Sequence, residues 1–568
     1  MSDPALRAFI KADMPPLNKK IAEGFAVSEI PKSERYVDML FQSIEETFPP
    51  GLKYEGGRRC SPREQYLEMT KRHNQKTTKT SQRSSYDIAH SNVYMMRYDF
   101  SYTPPGTKNK IFLKPRYLFL PYVDDAGFIT ISDSRYTISP VLADRVISVM
   151  RKTIFVRLIK TRFNINRISQ HFILDDYETY AHVVWSKIHQ KKVIRDKSET
   201  DNVTAESTLA HYLFCKYGIL RTFQEFAGAD VVVGDAENIT KEKYPPEEWH
   251  IAKTTRTPEM GHPNSRGTST NSNYRPTKLR IAVPKHQMNA MVHNLIGAFY
   301  YIADRFSDRV AHLQSYIVKQ DTVKLGHEKL MWILILGHLV APTSGPGKVT
   351  KEMESHMRSL DEYIDPIVRE QLKNIGYQVD NVYQLFARMI ADFDPLLLAH
   401  RKKLSSMYDK ELNVLYFVLF DISKSIMELG FHMLKLCDEP NLTPEKFNHV
   451  FGNKIRTGAI FHIYKSSGAV SANSYPGDNM LMKITTLLVP QQHTNKMNRK
   501  KGGLQLRDPI NQLHISVVEV GGYANLPKSQ PSGHFRINPF VGLTLDNVIL
   551  RNEAFTEIYD HAQTLIEK

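Results

Sequence analysis

The sequence predicts an α+β, multidomain fold, and three observations carry that expectation. Short β-type runs separated by turn residues fill 93–146. Apolar residues then recur at three- and four-residue steps from Met288 onward, the mark of helices with one buried face. Short runs punctuated by Gly and Pro return from about residue 455. With 568 residues the chain is several times the length of one typical domain, so a single small module is excluded.

Taken in order, the chain to about residue 95 reads as mixed helix and loop. Within it Lys71 to Arg83 (KRHNQKTTKTSQR) is basic, hydroxyl-rich and almost free of apolar residues, which predicts a loop or arm. The runs VYMMRYDFSY, KIFLKPRYLFLPYV and GFITISDSRYTI follow, separated by PPGTKNK and DDAG, and predict a hairpin-rich sheet. Helical periodicity is expected between about 150 and 230, where Arg151, Lys152, Arg157, Lys160, Arg162 and Arg167 give a basic surface. Residues 234–280 hold few apolar anchors and many Pro, Gly, Ser, Thr and Asn, so a loop insertion outside the core is expected. Met288, Met291, Val292, Leu295, Phe299, Ile302, Phe306 and Val310 form one face of a long helix, and further helices are expected near 327–341, 350–374, 380–392 and 408–437. The remainder reads as strands and ordered loops, and no repeat of 20–50 residues is present.

Composition narrows the function. A hydrophobic fraction of 41% with 24% charged residues is that of a globular protein, and a net charge of +15 points to an anionic partner. Cys60, Cys215 and Cys437 are too scattered for a disulfide framework or a Cys-based zinc site, which fits a reducing compartment. The N-terminus has no apolar stretch of signal-peptide length, and the runs Leu330–Val340 and Leu412–Phe420 are too short to span a bilayer. A soluble, cytosolic protein is expected.

Catalytic motifs are hard to find. Asp392-Phe393-Asp394 places two carboxylates close together, but its flanks read as a helix end followed by a Pro stop, and a third acid is missing. His327-Glu328 and Gly337-His338 do not form a two-histidine zinc face. Gly521-Gly522 precedes no helix and so is not a dinucleotide fingerprint. No nucleophile elbow or Walker loop is present. The most informative segment is Asn495-Lys-Met-Asn-Arg-Lys-Lys-Gly-Gly503, with Arg507 beyond it. Lys496, Arg499, Lys500 and Lys501 crowd six positions ending at a flexible Gly pair, a composition suited to a phosphate backbone. It leads to KSQPSGHFRINPFVGL, in which Lys528, His534, Arg536 and Asn538 are interleaved with Pro and Gly.

This last region resembles the fork-loop region of the β subunit of multisubunit DNA-dependent RNA polymerases. His493 to Gly503 resembles its basic Gly-Gly loop, Arg507 the arginine after it, and Ile515 to Val520 the strand. Pro531-Ser-Gly533 and Asn538-Pro-Phe-Val-Gly-Leu543 resemble its Pro-x-Gly and Asn-x-Gly-Leu elements. A second match lies in Leu120-Pro121-Tyr-Val-Asp-Asp-Ala-Gly127-Phe-Ile-Thr-Ile-Ser-Asp-Ser-Arg135, which is similar to a strand pair of the family's protrusion domain. Ser529-Gln-Pro-Ser-Gly533 departs from the Glu-Thr-Pro-Glu-Gly of cellular enzymes. No counterpart of the C-terminal β half follows, so the pattern is similar to the split polymerases of nucleus-forming giant bacteriophages.

The resemblance implies the N-terminal half of a split β subunit. It divides the chain into a protrusion-like region at 1–150 and a lobe-like helical region at 151–400 carrying the 234–280 insertion. A return to the protrusion follows at 401–490, then a fork-loop-like region at 491–568. It implies nucleic-acid contacts at Lys496, Arg499, Lys500, Lys501, Arg507, Lys528 and Arg536, with neither catalytic residues nor metal ligands on this chain. Mg²⁺ would be bound by another chain of the assembled complex. The implied partners are a C-terminal β-like chain, two β′-like chains, the DNA template and the RNA transcript, with no membrane. The implied location is the host bacterial cytoplasm or a phage-induced compartment, and packaging in the virion is left open. The alternatives are a viral nucleic-acid-binding nucleoprotein or structural protein and, more weakly, a free-standing enzyme.

Overall fold

The structure, a computed structural model, describes residues 17–45, 51–74, 90–196, 199–263, 274–340, 346–400 and 406–413, with 445–449, 470–471, 488–490, 516–521, 534–551 and 557 beyond them. Positions 105, 107, 132, 139, 150–151, 159–161, 320, 362–363 and 447 are excepted. The chain divides into two compact units. The first comprises Met1–Arg145, Asp365–Ile367 and Lys402–Lys568, and the second Val146–Ile364 and Val368–Arg401. The fold is mixed α+β and multidomain, as the patterning predicts.

In the first unit Asn18 caps α1 (Lys19–Glu23), accepting hydrogen bonds from the Lys20 and Ile21 amides. Helix α2 (Phe25–Glu45) buries Ala26, Ile30, Ser33, Val37, Leu40 and Phe41, a helical spacing. Strand β1 (Leu52–Arg59) leads to α3 (Pro62–Asn74), and then come β2 (Val93–Tyr102), β3 (Ile111–Phe112) and β4 (Arg116–Pro121). β2 pairs antiparallel with β1, β3 and β4. Phe41 seats α2 on this sheet against Tyr54, Tyr98 and Phe100, with ring centroids 4.9–5.6 Å apart. β5 (Ile129–Ile131) and β6 (Ser134–Ile138) form the next hairpin, and β7 (Val141–Asp144) ends this part. The hairpin-rich sheet expected for 93–146 is therefore present.

The second unit differs from expectation over 147–208. It opens with β8 (Ile147–Val149), β9 (Ile154–Arg157), β10 (Arg162–Leu174), β11 (Tyr177–Asp196) and β12 (Glu199–Thr208), where helix was predicted. The cations of this stretch suit a basic helical surface, but Arg157 is buried at the end of β9. Yet Ile154, Phe155, Val156, Ile165, Ile168, Thr179, Val183 and Val184 are β-formers whose branched or aromatic side chains suit a pleated surface. Helix begins only where Thr208 caps α4 (Leu209–Tyr217), followed by α5 (Ile219–Ala227). β13 (Val232–Asp235), β14 (Trp249–Thr254) and β15 (Leu279–Pro284) complete an eight-stranded sheet with central order β12-β11-β10-β14-β15-β13. The 234–280 stretch, expected as a loop outside the core, thus supplies an interior strand and the start of another. β14 is held by partners more than by its own hydrophobicity: it pairs on both sides, and the Tyr300 hydroxyl donates to the Ala252 carbonyl at 2.7 Å.

The helices α6 (Ala290–Arg305), α7 (Ser307–Leu313), α8 (Thr322–Val340), α9 (Pro346–Asp361), α10 (Pro366–Asn374) and α11 (Val382–His400) follow near their predicted places. The face running from Met291 to Val310 is buried but breaks at Phe306 into two helices. α6 lies close on β11 because Gly297 has no side chain; a Cβ there would stand 2.5 Å from that of Ala181. Glu328 is buried, and accepts from the Ile219 amide at 2.7 Å and Trp332 Nε1 at 3.0 Å, so it stitches α8 to the start of α5. Pro395 does not stop α11, contrary to expectation. A proline costs one intrahelical bond, and the surrounding turn is retained by burial of Phe393 and by the partners of Asp394.

The chain then returns to the first unit. A helix was expected over 408–437; instead β16 (Lys410–Asn413) pairs with β7, and 414–444 lie outside the described residues. β17 (Val470–Ser471) pairs with β6. β18 (Leu488–Pro490), α12 (Ser516–Val520), β19 (His534–Arg536), β20 (Gly542–Leu543) and β21 (Ile549–Leu550) complete the series. The strand expected at 515–520 is the short helix α12, where tertiary contacts override the β propensity of its valines: the Ser516 hydroxyl is buried and accepts from the Met407 amide at 2.8 Å. Among the described residues no helix is long and apolar enough to cross a membrane.

Candidate nucleic-acid interface

Of the seven residues expected to contact nucleic acid, Arg536 alone lies among the described residues, on a small frame in the first unit. β18 and β19 pair antiparallel, with Leu488 opposite Arg536 and Pro490 opposite His534. Beyond β19, Ile537 bridges to Gly521. Asn538 then fastens the following turn to the end of α12: its amide donates to the Val520 carbonyl at 2.8 Å, and its Nδ2 to the Glu519 carbonyl at 2.9 Å. Its own Oδ1 accepts from the Phe540 amide at 3.1 Å. Segment 491–515 therefore leaves from β18 and re-enters at α12, and segment 522–533 leaves after α12 and re-enters at β19. Lys496, Arg499, Lys500, Lys501 and Arg507 belong to the first segment and Lys528 to the second, and all six lie outside the described residues. Arg536 is on β19 itself. By sequence, 491–515 carries five Lys and Arg against one Asp, a local excess suited to a polyanion.

The frame is anchored to the N-terminal helices by contacts that no local pattern announces. Asn18 receives the turn after β19, its amide donating to the Pro539 carbonyl at 2.9 Å and its Nδ2 to the Val541 carbonyl at 2.8 Å. Lys20 Nζ donates to the carbonyls of Thr544 and Leu545 and to Asn547 Oδ1, at 3.1, 2.7 and 2.8 Å. Burial, reinforced by the charge of Lys32, lowers the Lys20 pKa from its ordinary value. Asn547 has φ +63°, the left-handed region in which Asn is among the tolerated residues. It is buried, and its Nδ2 donates to Glu29 Oε1 at 3.0 Å while its carbonyl accepts from the Leu412 amide at 2.9 Å. One side chain and its backbone thus tie together α2, β16 and the β20–β21 turn.

The second sequence match, Leu120 to Arg135, is also built as a unit. In the DDAG turn Asp124 Oδ1 accepts from the Ala126 and Phe128 amides at 3.1 and 2.8 Å, and Asp124 Oδ2 pairs with Arg135 at 2.5 Å. The Arg135 guanidinium sits 4.5 Å over the Phe128 ring, so this arginine clamps its own hairpin.

Asp392 and Asp394 lie two positions apart within α11, and residues two apart on a helix point to different sides. Asp394 pairs with Arg167, and its Oδ2 lies 2.6 Å from His182 Nδ1. Asp392 lies 3.6 Å from Arg388 Nε. Desolvation and the nearby Arg167 charge lower the His182 pKa from its ordinary value. Arg167, counted in the sequence as part of a basic surface, is thus a carboxylate's partner, a relation between distant positions that no spacing reveals. Among the described residues no group of three or more His, Cys, Asp and Glu could hold a metal ion.

The family of non-virion RNA polymerase subunits matches the chain over residues 10–553, which runs through both units. The chain belongs to that family: it is a phage-type subunit of a multisubunit RNA polymerase and works with other polymerase subunits. No curated protein matches it.

Proposed function

We propose that this chain is the front half of a split β subunit, with protrusion-, lobe- and fork-like regions lining one wall of the main cleft. The observation that carries this reading is topological. The two β-like sequence motifs, Leu120–Arg135 and Asn538–Leu543, are far apart in the chain yet belong to one compact unit, and the intervening 146–364 and 368–401 make up the other. A β subunit interrupted by its lobe has that arrangement. On this reading the cations at 496–501, with Arg507, Lys528 and Arg536, hold DNA and the RNA–DNA hybrid through phosphates, contacts that position a strand without reading its sequence.

The Mg²⁺ ions of nucleotidyl transfer belong to another chain, because Asp392 and Asp394 diverge on a helix and have cationic neighbours, which does not fit a shared ion. The partners are a C-terminal β-like chain and two β′-like chains, and the enzyme works in the infected cell. Family membership favours this reading over a nucleoprotein. Purification of the native chain from infected cells, with identification of every co-purifying chain, tests it. The expected result is a complex containing the complementary β-like chain; a monodisperse monomer that recruits no polymerase chain overturns it.

A further inference from the structure

A cation of the first unit that the basic loop's sequence does not anticipate is held in an unusual way. Arg59 closes β1 and is exposed. Its guanidinium lies 4.4 Å from the centre of the Tyr94 ring and 4.8 Å from that of Tyr122, and Nη2 donates to the Tyr122 hydroxyl. Both rings are fixed in turn. Tyr94 is buried in β2 and donates its hydroxyl to Glu34, and the Tyr122 amide donates to the Asn92 carbonyl at 2.9 Å. The neighbouring arginines are held differently. Arg58 binds Glu64 with two parallel bonds of 2.8 and 2.6 Å, and Arg97 Nε binds Asp99 at 2.8 Å.

The difference is chemical. A carboxylate partner neutralises an arginine and competes for its donor fork, whereas an aromatic ring orders the guanidinium and leaves its charge intact. One of five N–H donors goes to the Tyr122 hydroxyl, so donors remain for a two-pronged phosphate contact. Tyr122 stays 38% exposed, leaving part of its ring open to a base or sugar. Charge decides the occupant: by sequence, 58–83 carries eight Lys and Arg against two Glu.

We infer that Arg59, seated on Tyr94 and beside Tyr122, is a second nucleic-acid contact of this subunit and takes a backbone phosphate. The inference rests on the reading that the subunit lines a nucleic-acid path. It is tested by the salt dependence of binding of a labelled DNA–RNA scaffold to the reconstituted polymerase. Arg59→Ala should remove about one counterion from the slope, so that about 3-fold less affinity is lost between 50 and 200 mM salt. Arg59→Lys should keep the slope with weaker binding, and Arg58→Ala should leave the slope unchanged. An unchanged slope in Arg59→Ala overturns the inference, as does loss of subunit assembly with the slope retained, which would assign Arg59 to an acidic protein partner. The joint Ala variant of Lys496, Arg499, Lys500 and Lys501 separates the two levels. A reduced slope there with none in Arg59→Ala sinks this contact alone, and unchanged slopes in both sink the cleft-wall reading.

Discussion

The two units are built on opposite principles. The second is almost one continuous stretch, 146–401, in which a long antiparallel hairpin, β10–β11, seeds a sheet and consecutive helices cover it. The first is sewn together from residues 1–145, 365–367 and 402–568, and among the described residues its C-terminal elements are short: α12 has five residues, β20 and β21 two each. What such pieces lack in their own burial is supplied by single polar side chains, the half-buried Asn18, Lys20 and Asn538 and the buried Asn547. The contrast is between a unit with a continuous core and one whose short C-terminal pieces are held by a few specific hydrogen bonds.

The contrast can be broken most forcefully in the second unit. Trp332 is fully buried against Phe214 and Phe299, so Trp332→Ala should cost about 3–5 kcal/mol. Hydrogen exchange should show protection lost across 146–401 and kept in 17–45 and 534–551. Next in size is Asn547→Ala, which leaves Glu29 short of a buried donor and puts Ala in the left-handed region, about 2–3 kcal/mol in all. Here exchange should rise together in 17–23, 406–413 and 534–551 while the second unit keeps its protection. Loss in 534–551 alone would mean that the segments are not jointly tied.

A third effect is of pH. Burial lowers the pKa of His211 from 6.5 to about 4 and raises that of Asp304 from 3.8 to about 6. Below pH 6.5 the unfolded chain takes up a proton that folded His211 refuses, so stability falls as pH drops toward 4, by about 3 kcal/mol in full. Asp304 works the other way, since the folded chain takes up its proton first and gains stability as pH drops from 6 toward 3.8. The two offset in the wild type. Asp304→Asn should therefore steepen the acid loss of stability between pH 6.5 and 4, read as denaturant midpoint against pH; a profile parallel to wild type contradicts this. The smallest effect belongs to Asp392→Asn with Asp394→Asn. These are half-exposed pairs worth at most about 1 kcal/mol, and transcript synthesis by the reconstituted enzyme should be unchanged. Collapse of synthesis with normal assembly would put the active site on this chain.

What the sequence disclosed follows the same division between local and distant causes. The Met291–Val310 face and the DDAG turn are legible because neighbours a few residues apart determine them. The strands of 147–208 are encoded locally too, but the cations interspersed in the sequence mask the β-branched residues that pack the sheet. β14 and α12 are legible in neither pattern, since WHIAKT is an interior strand only by virtue of β10 and β15, and SVVEV is a helix only beside Met407. Of the candidate interface, the cations and their charge excess are plain in the sequence. The frame of β18, α12 and β19 with its anchors is not, because Lys20 and Asn547 are joined only by folding.

The claim that this subunit lines the nucleic-acid path is tested most directly by a photo-crosslinker placed at Lys500 in the transcribing, fully assembled polymerase. Adducts to the template strand or the nascent transcript are predicted, and they should fade as salt rises. A complex that transcribes normally yet gives no nucleic-acid adduct from position 500 would contradict the account.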